Sequence, residues 1–379
     1  MPVAPKVLIN ALSAQKGGGQ TYLINLLDYP ALREDLDVTL VVSSSNLSKF
    51  EKLPNVKLLL AKFGGQNLIT RFFWENFYLP LLLKKKSIDL LFSVSGILPK
   101  FYLPSTCKSV TICQNMLPFC SEELARLKSK KFKLKFLLIK YSQWISFFRS
   151  DLIIFISDFG KSVITGLPLL KRKKNTVIPH GIPDFFRNHS ASKPNTKSDF
   201  KYTMYVSSFF EYKAQMELVL AWAALPTEIR AGRKLLLVGP EGTGYREQVR
   251  KKVTDLGLQG EVEIVGELKY LDLPDYYCSA ELLVFASSCE NCPNILLEGL
   301  AAGVLTICSN YPPMPEFAKD SVVYVDPYNV GEVRNTLVKF YSGGFNNQVY
   351  IRKALELSKS FTWQRTALET WSSFRSILA

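Results

Sequence analysis

Histidine is scarce in this chain of 379 residues, in which His180 and His189 are the only two. The seven cysteines include a single CxxC pair, Cys289 and Cys292, and no second pair that would complete a zinc or redox site of the usual kind. An odd number of cysteines in so long a chain is also unlike a disulfide scaffold. We therefore expect reduced thiols and no structural metal.

Long hydrophobic runs are missing as well. The apolar runs, such as those at residues 78–83 and 282–286, are far shorter than the roughly 20 residues that cross a bilayer. The amino-terminal residues do not have the pattern of a signal peptide and instead resemble a first core strand and its loop. We therefore expect a cytoplasmic protein, at most peripheral on the inner face of a membrane.

Negative charge is scarce in the first half of the chain. Residues 1–190 hold 27 Lys and Arg against 12 Asp and Glu, whereas residues 191–379 hold 20 against 21. Such a field attracts phosphates, nucleic acid or an anionic membrane. No known nucleic-acid module accompanies the charge, so we expect no nucleic-acid partner. The basic, partly apolar segment 128–140 either rests on anionic lipid headgroups or is a solvated helix with its apolar side in the core.

Short apolar runs alternate with helical patterns along the whole chain. The runs at 7–9, 38–42, 90–92, 109–112 and 152–156 predict one set of buried strands. Those at 202–206, 234–238, 262–265, 282–285 and 305–307 predict a second. Unalternated strands separated by helices indicate parallel sheets, and hence an α/β protein with two doubly wound, Rossmann-like domains. We predict domains at 1–185 and 201–360, a linker at 186–200, and a terminal helix at 361–379 that packs back on the first domain.

The most informative motif covers residues 287–303, directly after a predicted strand. Pro293 suits the first position of a helix, and Gly303 suits its end, so Glu290 falls in the loop and Glu298 within the helix. Ligands of parallel sheets bind at the carboxyl ends of strands, where a helix N-terminus attracts phosphate. The two glutamates could therefore accept hydroxyls of a sugar and a ribose. They could equally be ordinary acids near a helix start.

Two glutamates separated by seven residues, before a helix that ends in Ala and Gly, resemble the signature of the retaining glycosyltransferases of family 4, also called glycosyl transferases group 1. This family has the GT-B fold, in which two Rossmann-like domains face each other across a cleft. The resemblance implies that Glu298 binds the donor ribose and that Glu290, a catalytic residue, lies beside the donor sugar. It also implies donor contacts from Asn291, Cys292, Pro293 and Asn294.

Other segments resemble the family in the same order. A glycine-rich loop after the first strand would approach the donor phosphates, Lys213 would stabilise the departing diphosphate, and the loop at 266–270 would hold the base. The residues concerned are Gly17, Gly18, Gly19, Lys213, Gly266 and Leu268.

Two positions depart from the family pattern. Ser208 stands where the family usually has an arginine, and Lys16 or Lys161 would have to compensate for the lost charge. Gln114 stands where many members have a histidine; as a catalytic-site residue it could bind a sugar but could not carry a proton at neutral pH. Weaker acceptor contacts are assigned to Asn115 and His180, the latter being more consistent with a structural role.

The motif Asp35-Leu36-Asp37 spells DxD, but its place before a strand indicates a turn, and the family implies that no metal or other cofactor is used. The predicted function is metal-independent transfer of a hexose from a UDP- or GDP-linked donor to a glycan or lipid-linked acceptor, in cell-surface polysaccharide or lipopolysaccharide synthesis. A GT-B-shaped nucleotide-sugar epimerase and an inactive nucleotide-sugar-binding relative remain as alternatives.

Overall fold

The computed structural model describes residues 4–15, 17–65, 67–189, 200–242 and 244–379. Contacts divide the chain into two compact units. The first unit comprises Met1–Phe119, Lys135–Gly181 and Thr362–Ala379; the second comprises Cys120–Leu134 and Ile182–Phe361. Lys16 and most of the predicted linker, residues 190–199, lie outside the described residues.

The bounds of the regular elements are as follows. The strands are β1 (Lys6–Asn10), β2 (Asp37–Val42), β3 (Lys57–Leu60), β4 (Leu90–Ser93), β5 (Lys108–Cys113), β6 (Leu152–Phe155), β7 (Asn175–Val177), β8 (Lys201–Val206), β9 (Arg233–Val238), β10 (Val262–Gly266), β11 (Leu282–Phe285), β12 (Thr306–Ser309) and β13 (Val323–Val325). The helices are α1 (Gly18–Leu27), α2 (Leu47–Phe50), α3 (Leu68–Phe73), α4 (Leu79–Lys85), α5 (Ser121–Arg126), α6 (Lys130–Arg149), α7 (Asp158–Thr165), α8 (Asp184–His189), α9 (Gln215–Ala223), α10 (Thr227–Arg230), α11 (Tyr245–Asp255), α12 (Leu273–Ser279), α13 (Asn294–Ala302), α14 (Met314–Ala318), α15 (Val330–Tyr341), α16 (Asn347–Ser358) and α17 (Trp363–Leu378).

The first unit is built on a parallel sheet with the strand order β3-β2-β1-β4-β5-β6-β7. The inner strands β4 and β6 are buried along their whole length, as their Leu- and Ile-rich sequences require. The order reverses between β1 and β4, which makes the carboxyl ends of these two strands a topological switch point.

The terminal helix α17 belongs to the first unit and is held there by its apolar face. Trp371 is buried and donates its indole N–H to the carbonyl of Leu26 on α1 at 3.3 Å. The hydroxyls of Tyr22 and Thr370 are 3.2 Å apart. The aromatic spacing in this segment therefore marks a core-facing helix.

The second unit is built on a parallel sheet with the order β10-β9-β8-β11-β12-β13. Its switch point lies between β8 and β11. One continuous hydrophobic core covers this sheet and includes the buried rings of Trp222, Tyr277 and Phe317. The segment 120–134, which the sequence analysis placed in the first domain, is grouped with this unit by its contacts.

The two-sheet Rossmann-like architecture predicted from the sequence is confirmed, and every predicted strand is present. Three further strands, β3, β7 and β13, were missed; each lies at an edge of its sheet. The helix α8 occupies residues that the sequence analysis assigned to the start of the linker.

Candidate functional site

Two loops of the second unit leave the sheet at its switch point. One follows β8 and carries Ser208 and Lys213, and the other follows β11 and carries Glu290. Because β8 and β11 are adjacent and parallel, their carboxyl ends open the crevice in which doubly wound sheets bind ligands. Three of the sequence-predicted donor residues of this unit, Ser208, Lys213 and Glu290, therefore lie on adjacent loops.

Lys213 and Glu290 form an ion pair in this crevice. The lysine is only 7% exposed, and its carbonyl accepts a hydrogen bond from the buried hydroxyl of Tyr205 at 2.9 Å. Its ammonium also lies 5.1 Å from the centre of the Tyr212 ring. Charged side chains that are this buried require a partner of opposite charge, so Lys213 and Glu290 each fix the position of the other.

Ser288 joins the two loops. Its amide N–H and its hydroxyl both donate to the carbonyl of Tyr212, at 2.9 and 3.0 Å. On the other loop, the side chain of Gln215 donates to the carbonyl of Ser208 at 3.0 Å. Backbone held in this way from both strands gives the Lys213–Glu290 pair a rigid support.

A second polar network, which the sequence analysis did not detect, continues from Ser288. Its hydroxyl lies 2.8 Å from that of Tyr328, which donates to the buried carboxylate of Glu123 at 2.8 Å. The guanidinium of Arg126 lies 3.8 Å from the centre of the Tyr328 ring. Glu123 and Arg126 belong to α5, and no local pattern in the sequence connects this helix with residues 200 positions away.

The loop after β11 leads into α13 as predicted. Pro293 precedes the first helical residue, Asn294, and Gly303 ends the helix in the left-handed conformation at φ 71°. Asn291 and Pro293 are buried, while Cys292 and Asn294 are half-buried. The amino end of α13, with the positive end of its helix dipole, thus lies at the end of β11.

Glu298 lies inside α13 and is 5% exposed. The hydroxyl of Tyr270 donates to its Oε1 at 2.7 Å, and the hydroxyl of Tyr277 lies 3.5 Å from its Oε2. Burial raises the pKa of Glu298 from 4.5 to about 7, although both tyrosine hydrogen bonds act to lower it. The predicted ribose-binding carboxylate is therefore already capped by tyrosine hydroxyls, which the sequence analysis did not foresee.

Gly266 and Leu268 lie on the neighbouring loop after β10. Gly266 adopts a left-handed φ of 81°, and its carbonyl accepts the N–H of Gly239 at 2.7 Å. Leu268 is half-buried against the core of the second unit. Both residues adjoin the loop that supplies Tyr270 to Glu298.

The remaining predicted residues lie on the first unit. Gly17 has a left-handed φ of 71° just before α1. Gly18 and Gly19 lie in the first turn of α1 rather than in the predicted loop. A Cβ at Gly19 would meet Oε1 of Gln114 at 3.2 Å, so the start of α1 and the loop after β5 are neighbours. Within the part of the chain that the structure describes, the buried Nε2 of Gln114 has no hydrogen-bond partner. Such an amide is suited to a ligand oxygen.

The two predicted acceptor residues differ in exposure. Asn115 is exposed, and its side chain accepts the N–H of Leu117 at 3.0 Å. His180 is buried between the rings of Tyr22 and Trp363, with centroids 5.4 and 5.3 Å away. This packing favours the structural interpretation of His180.

The DxD carboxylates are engaged in ion pairs rather than directed at a common point. Asp35 binds Arg375 at 2.6 Å, and Asp37 binds Lys57 at 2.7 Å. Across the described ranges, no cluster of three or more His, Cys, Asp or Glu side chains could hold a metal ion. Likewise, none of the helices that the structure describes is both long and apolar enough to cross a membrane.

Part of the second unit is similar in sequence to a known family. Residues 186–356 match the family described as Glycosyl transferases group 1. Over 175 residues the chain is 25% identical to the O-antigen chain mannosyltransferase B of Escherichia coli, covering 46% of this chain and 45% of that protein. The chain therefore spans about half the length of the curated relatives that it matches.

Solved structures match nearly the whole chain. Sucrose-phosphate synthase from Thermosynechococcus elongatus aligns with a TM-score of 0.78 and 17% identity, covering 98% of both chains. Anabaena HepE in complex with UDP aligns with a TM-score of 0.70 and 14% identity, covering 98% of this chain and 100% of that one. The chain therefore has the GT-B fold, and residues 186–356 of its second unit match the glycosyl transferases group 1 family.

Proposed function

We propose that this protein transfers a hexose from a nucleotide-sugar donor to a glycan or lipid-linked acceptor, with retention of configuration and without a metal ion. The observation that carries the proposal is the meeting of Lys213, Glu290 and the start of α13 at the switch point of the second sheet. Positive charge concentrated there would stabilise a departing nucleoside diphosphate.

The site residues receive the following roles in this proposal. Lys213 faces the diphosphate, Glu290 binds hydroxyls of the donor sugar, and Glu298 accepts hydroxyls of the ribose. The donor contacts of Gly17, Gly18 and Gly19 and the sugar contact of Gln114, all on the first unit, stay predictions. A UDP-linked donor is supported by HepE, which binds UDP, and a mannosyl donor by the O-antigen chain mannosyltransferase.

Thermal unfolding of the full-length protein with UDP-, GDP- and ADP-linked sugars tests the proposal. We expect one class of donor to raise the Tm, and Glu298→Ala to abolish that increase. Glu356→Ala, an exposed acid of the same unit, is the matched control and should keep it. The absence of any donor-induced increase in the wild-type protein would contradict the proposal.

Product analysis then separates transfer from its rivals. The identified donor should remain unchanged without an acceptor and should give an α-linked product from an α-linked donor when the acceptor is present. EDTA should leave the rate unaltered. Isomerised donor in the absence of acceptor would indicate an epimerase instead, and tight binding without turnover would indicate an inactive relative.

A further inference from the structure

A helical segment of the first unit is apolar on both of its faces. It consists of α3, one π-helical turn (Trp74–Tyr78) and α4. Its inner face packs into the core through Trp74, Leu79, Leu82 and Leu83. Its outer face presents Ile69, Phe73, Phe77 and Leu81, spaced four residues apart and 70%, 57%, 51% and 65% exposed. A helix with two apolar faces needs a second apolar environment.

The outer face extends beyond this helix into one continuous surface. The ring of Phe101 lies 5.3 Å from that of Phe77 and 6.4 Å from that of Phe72. The rings of Phe73 and Phe77 stack at 5.8 Å. We call these residues, together with Ile69 and Leu81, the aromatic patch. A groove of about 590 Å³ opens beside it, lined by residues that include Phe63 and Trp74.

The surroundings of the aromatic patch are cationic. Residues 57–104 contain seven Lys and Arg but only two acids, Glu75 and Asp89. Glu75 faces inward, where Asn10 donates to it at 2.9 Å. Exposed lysines at 84–86 lie in the last turn of α4 and at its C-cap, and the ammonium of Lys100 lies 5.6 Å from the Phe72 ring centre. The exposed rings are therefore bordered by positive charge.

We propose that the aromatic patch docks on the headgroup region of an anionic lipid bilayer. Exposed aromatic rings bury readily at the boundary between headgroups and acyl chains, and flanking lysines attract anionic lipid. The positive charge of Lys100 and of the exposed lysines at 84–86 selects an anionic lipid surface over a neutral one. The inference is independent of the proposed sugar transfer, since it concerns a different set of residues and needs no donor.

Flotation of the full-length protein with vesicles tests the apolar part of the inference. We expect binding to phosphatidylcholine vesicles that contain about 30 mol% phosphatidylglycerol, and much weaker binding to pure phosphatidylcholine. Phe73→Ser/Phe77→Ser should weaken binding at least about tenfold. The matched control Leu271→Ser/Leu368→Ser replaces two exposed leucines elsewhere and should bind like the wild type. Unchanged Tm values would show that the variants are folded.

A second pair of variants tests the charge. Lys84→Gln/Lys85→Gln/Lys86→Gln should weaken binding by about 100-fold, and raising the salt from about 0.1 to 0.5 M should weaken wild-type binding similarly. The control, with residues 171–173 changed to Gln, removes the same charge at another exposed site and should have a smaller effect. The inference would be overturned if the protein bound neutral and anionic vesicles equally well. It would also be overturned if each control variant lost as much binding as the patch or lysine variant with which it is matched. So would self-association in solution that Phe73→Ser/Phe77→Ser abolishes, since the patch would then bind a second copy.

Discussion

Replacing Glu298 by glutamine should change how the stability of this protein depends on pH. Glu298 is buried in α13, and the loss of hydration raises its pKa from 4.5 to about 7. Its oxygens face only the hydroxyls of Tyr270 and Tyr277 among the hydrogen-bond partners found in the described residues. Glutamine has nearly the same shape, and its oxygen can accept from one tyrosine hydroxyl while its NH2 donates to the oxygen of the other, but it does not titrate.

The sign follows from the direction of the pKa shift. Between pH 4.5 and about 7 the folded protein holds a proton on Glu298 that the unfolded chain has released. The stabilisation is therefore fully present below pH 4.5 and is lost as the pH rises through about 7. Each unit of pKa difference corresponds to about 1.4 kcal/mol. As the pH rises from below 4.5 to above 7, the free energy of unfolding of the wild type should therefore fall by about 3 kcal/mol relative to that of Glu298→Gln.

Thermal or urea unfolding of both proteins from pH 4.5 to pH 8.5 measures this difference directly. For a unit of this size, about 3 kcal/mol corresponds to roughly 6–12 °C in Tm, with the variant more stable than the wild type at the alkaline end. Glu356→Gln, an exposed acid, should instead follow the wild type at every pH. Parallel curves for the wild type and Glu298→Gln would refute the reasoning, because they would mean that the buried carboxyl titrates normally.

Two further predictions concern the loops around this site. Lys213→Met should lower stability by about 3 kcal/mol, because Glu290 is left as a buried charge without its lysine; adding Glu290→Gln should restore the Tm but not sugar transfer. Gly239→Ala should lower the Tm by several degrees, because its Cβ would lie 2.1 Å from a backbone oxygen at a φ of 149°. Gly260→Ala, where a Cβ meets nothing within 4 Å, should leave the Tm nearly unchanged, and similar losses in the two alanine variants would contradict the steric argument.

The strands that the sequence predicted and the ones that it missed differ in burial. The inner strands β4, β6 and β11 are buried at every residue, so apolar runs mark them clearly. The missed strands β3 and β7 have no fully buried residue, because each has a neighbour on one side only. A strand at a sheet edge need not be uniformly apolar, and residue pattern alone does not distinguish it from a loop.

The same distinction applies to the candidate site. The glutamates and the lysine were assigned because the segments that carry them resemble a known family. Their position after predicted strands agrees with that assignment, but it did not distinguish the glutamates from ordinary acids near a helix start. The tyrosines at 270 and 277 could not, because they reach Glu298 from a separate loop and helix, over 28 and 21 positions of sequence. The aromatic patch was also missed, because a run of apolar residues does not reveal that half of them face outward.

The Lys213–Glu290 ion pair connects the two roles that we propose for its members. The two side chains neutralise each other in the crevice, where both are largely buried. A nucleoside diphosphate would bring more negative charge than one carboxylate and would compete for the ammonium. Glu290 would then accept sugar hydroxyls in place of the lysine. Binding of the diphosphate by Lys213 and binding of the sugar by Glu290 would therefore be coupled. Glu290→Gln should therefore leave the affinity for the nucleoside diphosphate intact or raise it. The same variant should weaken the additional affinity that the donor sugar provides. Titration calorimetry with UDP and with the intact donor measures these two affinities separately.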